Sequence, residues 1–225
     1  GGWNNEDVAV IDIETGEITN LTESGYSDGG FRWALKGKAM TWTSDKGGYR
    51  SHGSWGADRD VYLMFFDRME HMNFIKDKED RELEDLLKDE KEQKKDEKKE
   101  KKDSVKAEKK AEKLELDFAD RHMRIMKLTP YAGRLGDHYL TQDGKKLYYM
   151  TRLERSTDLC MLNLEDNSIK VVAKGVSGSI YPTADDKYMY ILSGNGISKI
   201  STASGSKENI SFSGEYDYRP AEERE

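Results

Sequence analysis

The residues of this sequence best suited to binding chemistry lie in one loop, residues 47–56, which reads Gly-Gly-Tyr-Arg-Ser-His-Gly-Ser-Trp-Gly. Four glycines, two aromatic rings, a cation and an imidazole within ten residues are typical of a shaped contact loop on a rigid scaffold. We predict that Arg50 binds a carboxylate, that Trp55 stacks on it or on a partner, and that His52 belongs to the same peptide or partner contact. In the alternative interpretation, Tyr49 and Trp55 pack over the edge of a sheet and the glycines only permit the turns.

The rest of the sequence contains no catalytic or metal-binding pattern. The histidines are His52, His71, His122 and His138. Their spacing matches no metal-ligand motif, and the single cysteine, Cys160, can complete neither a zinc site nor an internal disulfide. Residues 53–56 and 175–178 lack the full G-x-S-x-G spacing of a nucleophile elbow, and no Walker-type phosphate loop is present. We therefore predict no catalytic residue, no cofactor and no metal ion.

Charge is concentrated in one segment, residues 76–113. Of its 38 residues, 30 are charged, 15 of each sign, so the formal net charge of -7 lies on the rest of the chain. This distribution gives no basic footprint for nucleic acid, and no apolar run reaches the roughly 18–20 residues of a membrane span. The segment is rich in Glu and Lys, lacks Pro and Gly, and has many opposite charges four residues apart, which favours a long solvated helix or helical hairpin. A disordered segment is the alternative.

Elsewhere, short runs of β-branched and aromatic residues alternate with turn dipeptides, which predicts an all-β fold. Three predicted hairpins have a lysine after the turn, at Lys38, Lys145 and Lys187, and the last two lysines are 42 residues apart, the period of a four-stranded propeller blade. The charged segment falls between the third and fourth strands of the first of these blades, and residues 8–22 supply two strands of a preceding one. The sequence thus predicts a partial β-propeller of about three and a half four-stranded blades. A sandwich of antiparallel hairpins is the alternative.

The predicted organisation has four parts. Residues 1–75 form the first part of the propeller, 76–113 the charged helical insertion, 114–218 the second part of the propeller, and 219–225 the start of a linker to a following domain. The last part has a proline as its second residue, Pro220, followed by acidic residues, which is typical of a helix start. Because an open arc of blades would leave sheet edges unpaired, we expect the chain to be a fragment whose missing blades lie upstream.

Several strings in the sequence carry a family resemblance. Those at residues 12–22, 43–48 and 60–64 look like the propeller repeats of TolB-like and tricorn-type proteins. A longer series of segments occurs in the same order as in bacterial homologues of the tricorn protease, which it resembles. These are Arg-Ser-His-Gly-Ser-Trp-Gly at 50–56, Asp-Val-Tyr at 60–62, the Lys/Glu insertion, and Leu-Asp-Phe-Ala-Asp-Arg at 116–121 leading into Leu-Thr-Pro at 128–130. Arg-Pro-Ala-Glu-Glu-Arg at 219–224 resembles the junction between the second propeller of that family and its peptidase part.

This resemblance implies a position within a larger enzyme. The family consists of serine endopeptidases of the tail-specific protease type, in which two propellers are followed by a small helical domain, a PDZ domain and a catalytic α/β domain. Its catalytic residues lie after the second propeller, so the resemblance implies that this chain is the C-terminal part of that propeller and is itself inactive. The implied partners are the remaining blades, the PDZ and catalytic domains of the parent chain, peptides, and further copies in a homo-oligomer.

The function implied by the resemblance is that of a non-catalytic propeller portion, which guides peptide substrate or product and supports assembly of a bacterial periplasmic or cytoplasmic peptidase. An alternative from another class is a TolB-like propeller that acts as a protein-interaction module without peptidase activity. A third hypothesis is a ligand-binding propeller that uses the loop from Arg50 to Trp55.

Overall fold

The computed structural model describes residues 5–51, 56–76, 79–80, 83, 116–153, 155–193 and 196–213. These residues form antiparallel sheets that follow one another along the chain. The first sheet contains β1 (Ala9–Ile11) and β2 (Ile18–Asn20). The second contains β3 (Asp28–Ala34), β4 (Ala39–Ser44), β5 (Asp60–Phe65) and β6 (Ile125–Lys127). The third contains β7 (Leu135–Leu140), β8 (Lys146–Leu153), β9 (Ser156–Asn163) and β10 (Ile169–Ala173). The fourth contains β11 (Ser179–Pro182), β12 (Tyr188–Ser193), β13 (Gly196–Ser201) and β14 (Lys207–Ile210).

Within each four-stranded sheet the spatial order of the strands is the order of the chain, so each sheet is an up-and-down meander. The three predicted hairpins are present as β3–β4, β7–β8 and β11–β12, and their turns precede or contain Lys38, Lys145 and Lys187. This arrangement of one two-stranded and three four-stranded sheets is consistent with the predicted partial propeller.

The hydrophobic core consists of three layers between successive sheets, because each strand sends alternate side chains to opposite faces. On one side of β4 and β5, Trp42 and Met64 belong to the cluster shared with Val8 and Leu21 of the first sheet region. The opposite faces pack on the third sheet. That cluster comprises chiefly Ala39, Val61, Leu63, Phe65, Leu140, Leu147 and Leu162. The third layer lies between the last two sheets and contains Met150, Leu159, Ile180, Met189 and Ile200 among others.

The first strands of two sheets are longer than their apolar runs predict. The sequence predicts strands over residues 31–33 and 139–140, whereas β3 begins at Asp28 and β7 at Leu135. Both strands contain a register irregularity, between Gly29 and Arg32 in β3 and between Leu135 and His138 in β7. An added residue breaks the alternation that sequence analysis relies on, and it also turns the local side chains to new directions.

The chain between β5 and β6 leaves and re-enters the sheet at one place, since these strands are hydrogen-bonded neighbours. Helix α1 (Arg68–Ile75) begins there, with the Asp67 carboxylate accepting from two N–H groups of the first turn at 2.8 and 3.0 Å. The returning chain is fixed by the Arg68–Asp117 ion pair at 2.8 Å and by the buried Arg124. Arg124 donates to the Asp117 carbonyl at 2.6 Å and to the Phe65 carbonyl at 2.9 Å.

The long charged helix or helical hairpin predicted for 76–113 lies outside the described residues, apart from Lys76, Glu79, Asp80 and Leu83. Of these, Glu79, Asp80 and Leu83 are helical. The predicted linker at 219–225 also lies outside them. In the part of the chain that the structure describes, no helix is long and apolar enough to cross a membrane.

Candidate functional site

The predicted contact loop connects β4 to β5 at one end of the second sheet. Its two arms are joined by an isolated bridge between Arg50 and Ala57 and by the Asp58 N–H, which donates to the Tyr49 carbonyl at 2.9 Å. These bonds hold the two described arms of the loop together. Two of the predicted contact residues, His52 and Trp55, lie outside the described residues.

Arg50, the third predicted contact, lies on the described arm of the loop. Its Nε donates to the Asp45 carboxylate at 2.6 Å, and its guanidinium carbon lies 5.7 Å from the centre of the Tyr26 ring. The carboxylate that Arg50 binds in the structure therefore belongs to its own loop. The Arg50 side chain is still 43% exposed. Tyr49 is 74% exposed, so it does not pack over the sheet edge.

A row of polar side chains crosses the sheet beneath this loop. Asp28 on β3 pairs in register with Ser44 on β4, and Ser44 pairs with Asp60 on β5. Cross-strand partners point to the same face of a sheet, and residues two positions away along the strand share that face. Trp42 and Tyr62, which also pair in register, therefore lie on the same face, next to the row.

Both carboxylates of the row are buried and incompletely hydrogen bonded. The Ser24 hydroxyl donates to Asp28 Oδ2 at 2.6 Å, and the Thr129 hydroxyl donates to Asp60 Oδ1 at 2.8 Å. Lys127 Nζ lies 3.7 Å from Asp60 Oδ1. Among the described residues, Asp28 Oδ1 and Asp60 Oδ2 have no hydrogen-bond partner. Such unpaired oxygens are rare in protein interiors.

A cavity of about 380 Å³ opens beside Asp28, between the first sheet and the second. It is lined by Thr22, Glu23, Ser24, Asp28, Trp42, Ser44, Lys46, Tyr62, His122 and Ile125. The rings of Trp42 and Tyr62 are stacked, with centroids 5.7 Å apart and an interplanar angle of 24°. Burial, followed by the charges of Asp60 and Asp28, raises the pKa of the Tyr62 hydroxyl above its usual value. The cavity thus has an aromatic wall and an acidic end.

Two glycines explain how the loop approaches the acidic row so closely. A Cβ at Gly47 would lie 2.6 Å from Asp60 Oδ2, and a Cβ at Gly48 would lie 1.8 Å from the Asp58 carbonyl oxygen. A larger residue at Gly47 would push the loop away from the sheet, and one at Gly48 would push the two arms of the loop apart. Lys46, directly before these glycines, lines the cavity, so the start of the loop borders it.

A second polar cluster joins the first strands of the three four-stranded sheets. Arg32 on β3 binds Asp137 on β7 through Nε at 3.1 Å and Nη2 at 2.5 Å, and Nη2 also donates to the Ile180 carbonyl of β11 at 2.7 Å. The Ile180 N–H and the His138 N–H donate to the same Asp137 carboxylate at 2.7 and 2.8 Å. Although burial raises the pKa of Asp137, its bonds to Arg32 and to the backbone hold that pKa below the usual value.

His138 sits behind this cluster, completely enclosed. Its Nε2 lies 2.9 Å from the Thr41 hydroxyl, and its Nδ1 has no partner among the described residues. Burial lowers the pKa of His138 to about 4, so the imidazole is neutral near pH 7. No substrate can reach it, which makes His138 a packing residue of the seam between the second and third sheets.

The described residues contain no group of three or more His, Cys, Asp or Glu side chains that could hold a metal ion. Cys160 is buried in the core, and burial raises the pKa of its thiol, which disfavours the reactive thiolate. What the site offers is shape, aromatic surface and charge, which suits binding.

The sequence did not predict the roles of Asp28 and Asp137. Both residues lie in or beside strand irregularities, where no alternation marks them. The one sequence feature that could have indicated them is the long polar stretch before each of the apolar runs at 31–33 and 139–140.

No family model and no curated protein matches this chain. Solved structures match it in fold. It is similar to the tricorn protease with a TM-score of 0.56 and 10% identity, over 91% of this chain and 19% of that chain. It is also similar to TolB from Acinetobacter baumannii with a TM-score of 0.53 and 12% identity, over 92% of this chain and 37% of that one. At these identities the likeness supports a propeller-type fold. The chain spans about a fifth of the length of the first protein and just over a third of the second.

Proposed function

We propose that this chain is the non-catalytic β-propeller portion of a tricorn-like serine endopeptidase, where it guides peptide substrate or product and supports assembly. The observation that carries this proposal is the match of 91% of the chain, at a TM-score of 0.56, to a fifth of the tricorn protease. The sequence strings around the loop and after the charged insertion support it independently. A propeller module of this kind needs no catalytic group of its own.

The proposed organisation keeps the four parts predicted from the sequence: propeller over 1–75 and 114–218, a charged helical insertion over 76–113, and a linker over 219–225. The proposed partners are the remaining blades, the PDZ and catalytic domains of the parent chain, peptides, and other copies in a homo-oligomer. The parent enzyme is proposed to be bacterial, in the periplasm or the cytoplasm.

Peptide contact is assigned to the loop of residues 47–56, through Arg50, His52 and Trp55. Arg50 keeps a large exposed fraction while bound to Asp45, so a peptide carboxylate can approach its outer nitrogen atoms. The exposed ring of Tyr49 adds aromatic surface on the same arm of the loop. Aromatic and guanidinium groups supply most of the binding energy at typical peptide and protein contacts.

The test is a binding titration by fluorescence anisotropy. The probe is a fluorescein-labelled decapeptide of mixed sequence with a free C-terminal carboxylate, compared with its C-terminally amidated form. We expect Trp55→Ala to weaken binding of the carboxylate peptide at least tenfold, and amidation to weaken it in the wild type. The same preparation should leave a fluorogenic peptide uncleaved.

The matched control is Tyr131→Ala, which removes a ring that is as exposed as Tyr49 and lies outside the loop. Equal weakening by Tyr131→Ala and Trp55→Ala would show that the loop has no special role. Arg50→Ala needs a stability measurement beside it, because it leaves the buried Asp45 carboxylate with the Ser27 N–H as its one remaining donor among the described residues. Cleavage that persists through rigorous purification would refute the non-catalytic assignment.

The second candidate is a TolB-like propeller that acts as a protein-interaction module without a peptidase. The match to TolB over 92% of this chain at a TM-score of 0.53 favours it. The reading frame after Glu225 distinguishes the two candidates. A PDZ domain followed by a serine-containing catalytic domain supports the peptidase, and a stop codon supports the interaction module.

A further inference from the structure

Unlike Asp45, Asp60 and Asp137, Asp28 has no cation within ion-pair distance among the described residues. Asp45 binds Arg50 at 2.6 Å, Asp137 binds Arg32, and Asp60 has Lys127 at 3.7 Å. Asp28 is 3% exposed and accepts one hydrogen bond at its side chain, from the neutral Ser24 hydroxyl. No described residue forms an ion pair with it. Burying a carboxylate without a cation or full hydrogen bonding is costly.

Asp60 increases the negative charge at this point of the sheet. Asp28 and Asp60 both pair in register with Ser44, so their side chains flank it on one face. Each retains an oxygen without a partner among the described residues. Lys127 is the one described cation within ion-pair distance of either carboxylate, with its Nζ 3.7 Å from Asp60 Oδ1. The pair of carboxylates therefore keeps an excess of negative charge. Apolar walls of low dielectric constant concentrate the electric field of these charges in the space beside them.

That adjoining space is the 380 Å³ cavity, and Asp28 is part of its wall. Its volume is within the range of small-molecule sites. Trp42 and Tyr62 supply aromatic surface next to the acid. Glu23 at the rim is a second carboxylate, and it is paired with Arg121 at 3.6 Å. The basic groups on the wall are the exposed Lys46 and His122.

We propose that this cavity binds an organic cation, an alkylammonium or guanidinium group, with Asp28 as its counter-ion and the Trp42–Tyr62 pair as its apolar wall. A carboxylate beside aromatic rings is the usual combination for such cations. The described part of the chain lacks a metal-type cluster of ligands, which favours an organic cation over a metal ion. This proposal goes beyond the peptide contact proposed for the loop of residues 47–56 and does not depend on it.

The chemistry of the wall defines how the cation lies. Its charged end faces Asp28, where the hydroxyls of Ser24 and Ser44 can accept further N–H bonds. Its alkyl part lies along Trp42 and Ile125 and is removed from water. The Lys46 ammonium at the exposed rim repels a bound cation and so weakens its binding.

The experiment titrates the 225-residue chain with butylguanidinium, and in parallel with butylurea, a neutral molecule of the same shape. Binding is followed by calorimetry and by the indole N–H signal of Trp42, assigned with Trp42→Phe. We expect butylguanidinium to bind with a Kd of about 1 mM or tighter and butylurea to bind at least tenfold more weakly. Asp28→Asn should raise the Kd for butylguanidinium at least tenfold.

The control is Asp185→Asn, an exposed turn aspartate in the fourth sheet region, which should change the Kd less than twofold. Lys46→Gln should tighten binding about threefold by removing a like charge, and as a surface change it leaves folding intact. It therefore decides the matter if Asp28→Asn does not fold. Equal affinity for butylurea, an unchanged Kd in Asp28→Asn, or weaker binding in Lys46→Gln would each overturn the proposal.

Discussion

Replacing Asp137 by alanine should destabilise the chain strongly, because this one carboxylate joins three sheets. It binds Arg32 of β3 from its own position on β7, and it accepts the Ile180 N–H of β11. The substitution leaves two backbone N–H groups without their acceptor and a partly buried guanidinium without its anion. The perturbation is thus confined to the contacts between sheets, since β7 keeps its pairing with β8.

The magnitude follows from the bonds that are lost. A hydrogen bond to a charged group contributes about 1.5–3 kcal/mol. Asp137 accepts such bonds from Arg32, Ile180 and His138, but a fifth of its side chain is exposed, so water replaces part of the loss. We expect the free energy of unfolding to fall by about 3 kcal/mol, at the lower end of the range for broken buried ion pairs.

Urea denaturation of the wild type, Asp137→Ala, Arg32→Ala and the double variant measures this directly. The double-mutant cycle should give a coupling of about 1–2 kcal/mol between the two side chains. The control is Glu165→Ala, which removes the surface pair with Lys145 at 2.9 Å and should cost less than about 1 kcal/mol. A loss below about 1 kcal/mol for Asp137→Ala, or a coupling near zero, would show that the seam does not hold the sheets together.

Three further substitutions test other parts of the structure. Arg124→Ala should lower the free energy of unfolding, measured by urea denaturation, by about 2–4 kcal/mol, because the buried guanidinium donates to two carbonyls. Arg124→Lys should recover less than half of the lost stability. Full recovery would refute the role of the guanidinium group. Gly48→Ala should cost more than about 2 kcal/mol in the same assay, since its Cβ would lie 1.8 Å from the Asp58 carbonyl oxygen, whereas Gly29→Ala, whose nearest contact is at 3.8 Å, should cost less than about 1 kcal/mol. Burial lowers the pKa of His138 to about 4, so between roughly pH 6.5 and that value the unfolded chain binds a proton that the folded chain does not, and stability falls as pH falls. His138→Gln should therefore remove about 2 kcal/mol of the loss measured between pH 7 and pH 5; an identical pH dependence in both proteins would contradict this.

The hairpins could be predicted from the sequence because their determinants are local. A turn with a positive φ, such as that at Gly144, followed by alternating apolar residues, specifies a hairpin regardless of what packs on it. The insertion between β5 and β6 was also predictable, since its composition differs sharply from that of the strands around it.

The candidate site was predictable only in part, because its contacts depend on register. A guanidinium such as Arg50 predicts a carboxylate partner, but the path of the loop selects Asp45 five positions earlier. The row formed by Asp28, Ser44 and Asp60 exists only once β3, β4 and β5 are aligned, and nothing in a linear sequence gives that alignment. The irregularities in β3 and β7 likewise hide Asp28 and Asp137 from any argument based on alternation.

The contacts that join the two ends of the insertion between β5 and β6 determine how this chain tolerates changes in its length. Phe66 and Phe118 lie in ring contact at 5.7 Å, and Asp117 donates its N–H to the Phe66 carbonyl, so departure and return are fixed to each other. The entropy lost in closing a flexible loop grows only with the logarithm of its length, about 0.6 kcal/mol for each doubling. The number of residues between Phe66 and Asp117 therefore has little effect on the free energy of folding of this sheet. A segment attached in this way can be shortened, lengthened or exchanged for a foreign sequence at small cost to folding, and the base of the insertion is a natural attachment point for a reporter or an affinity label.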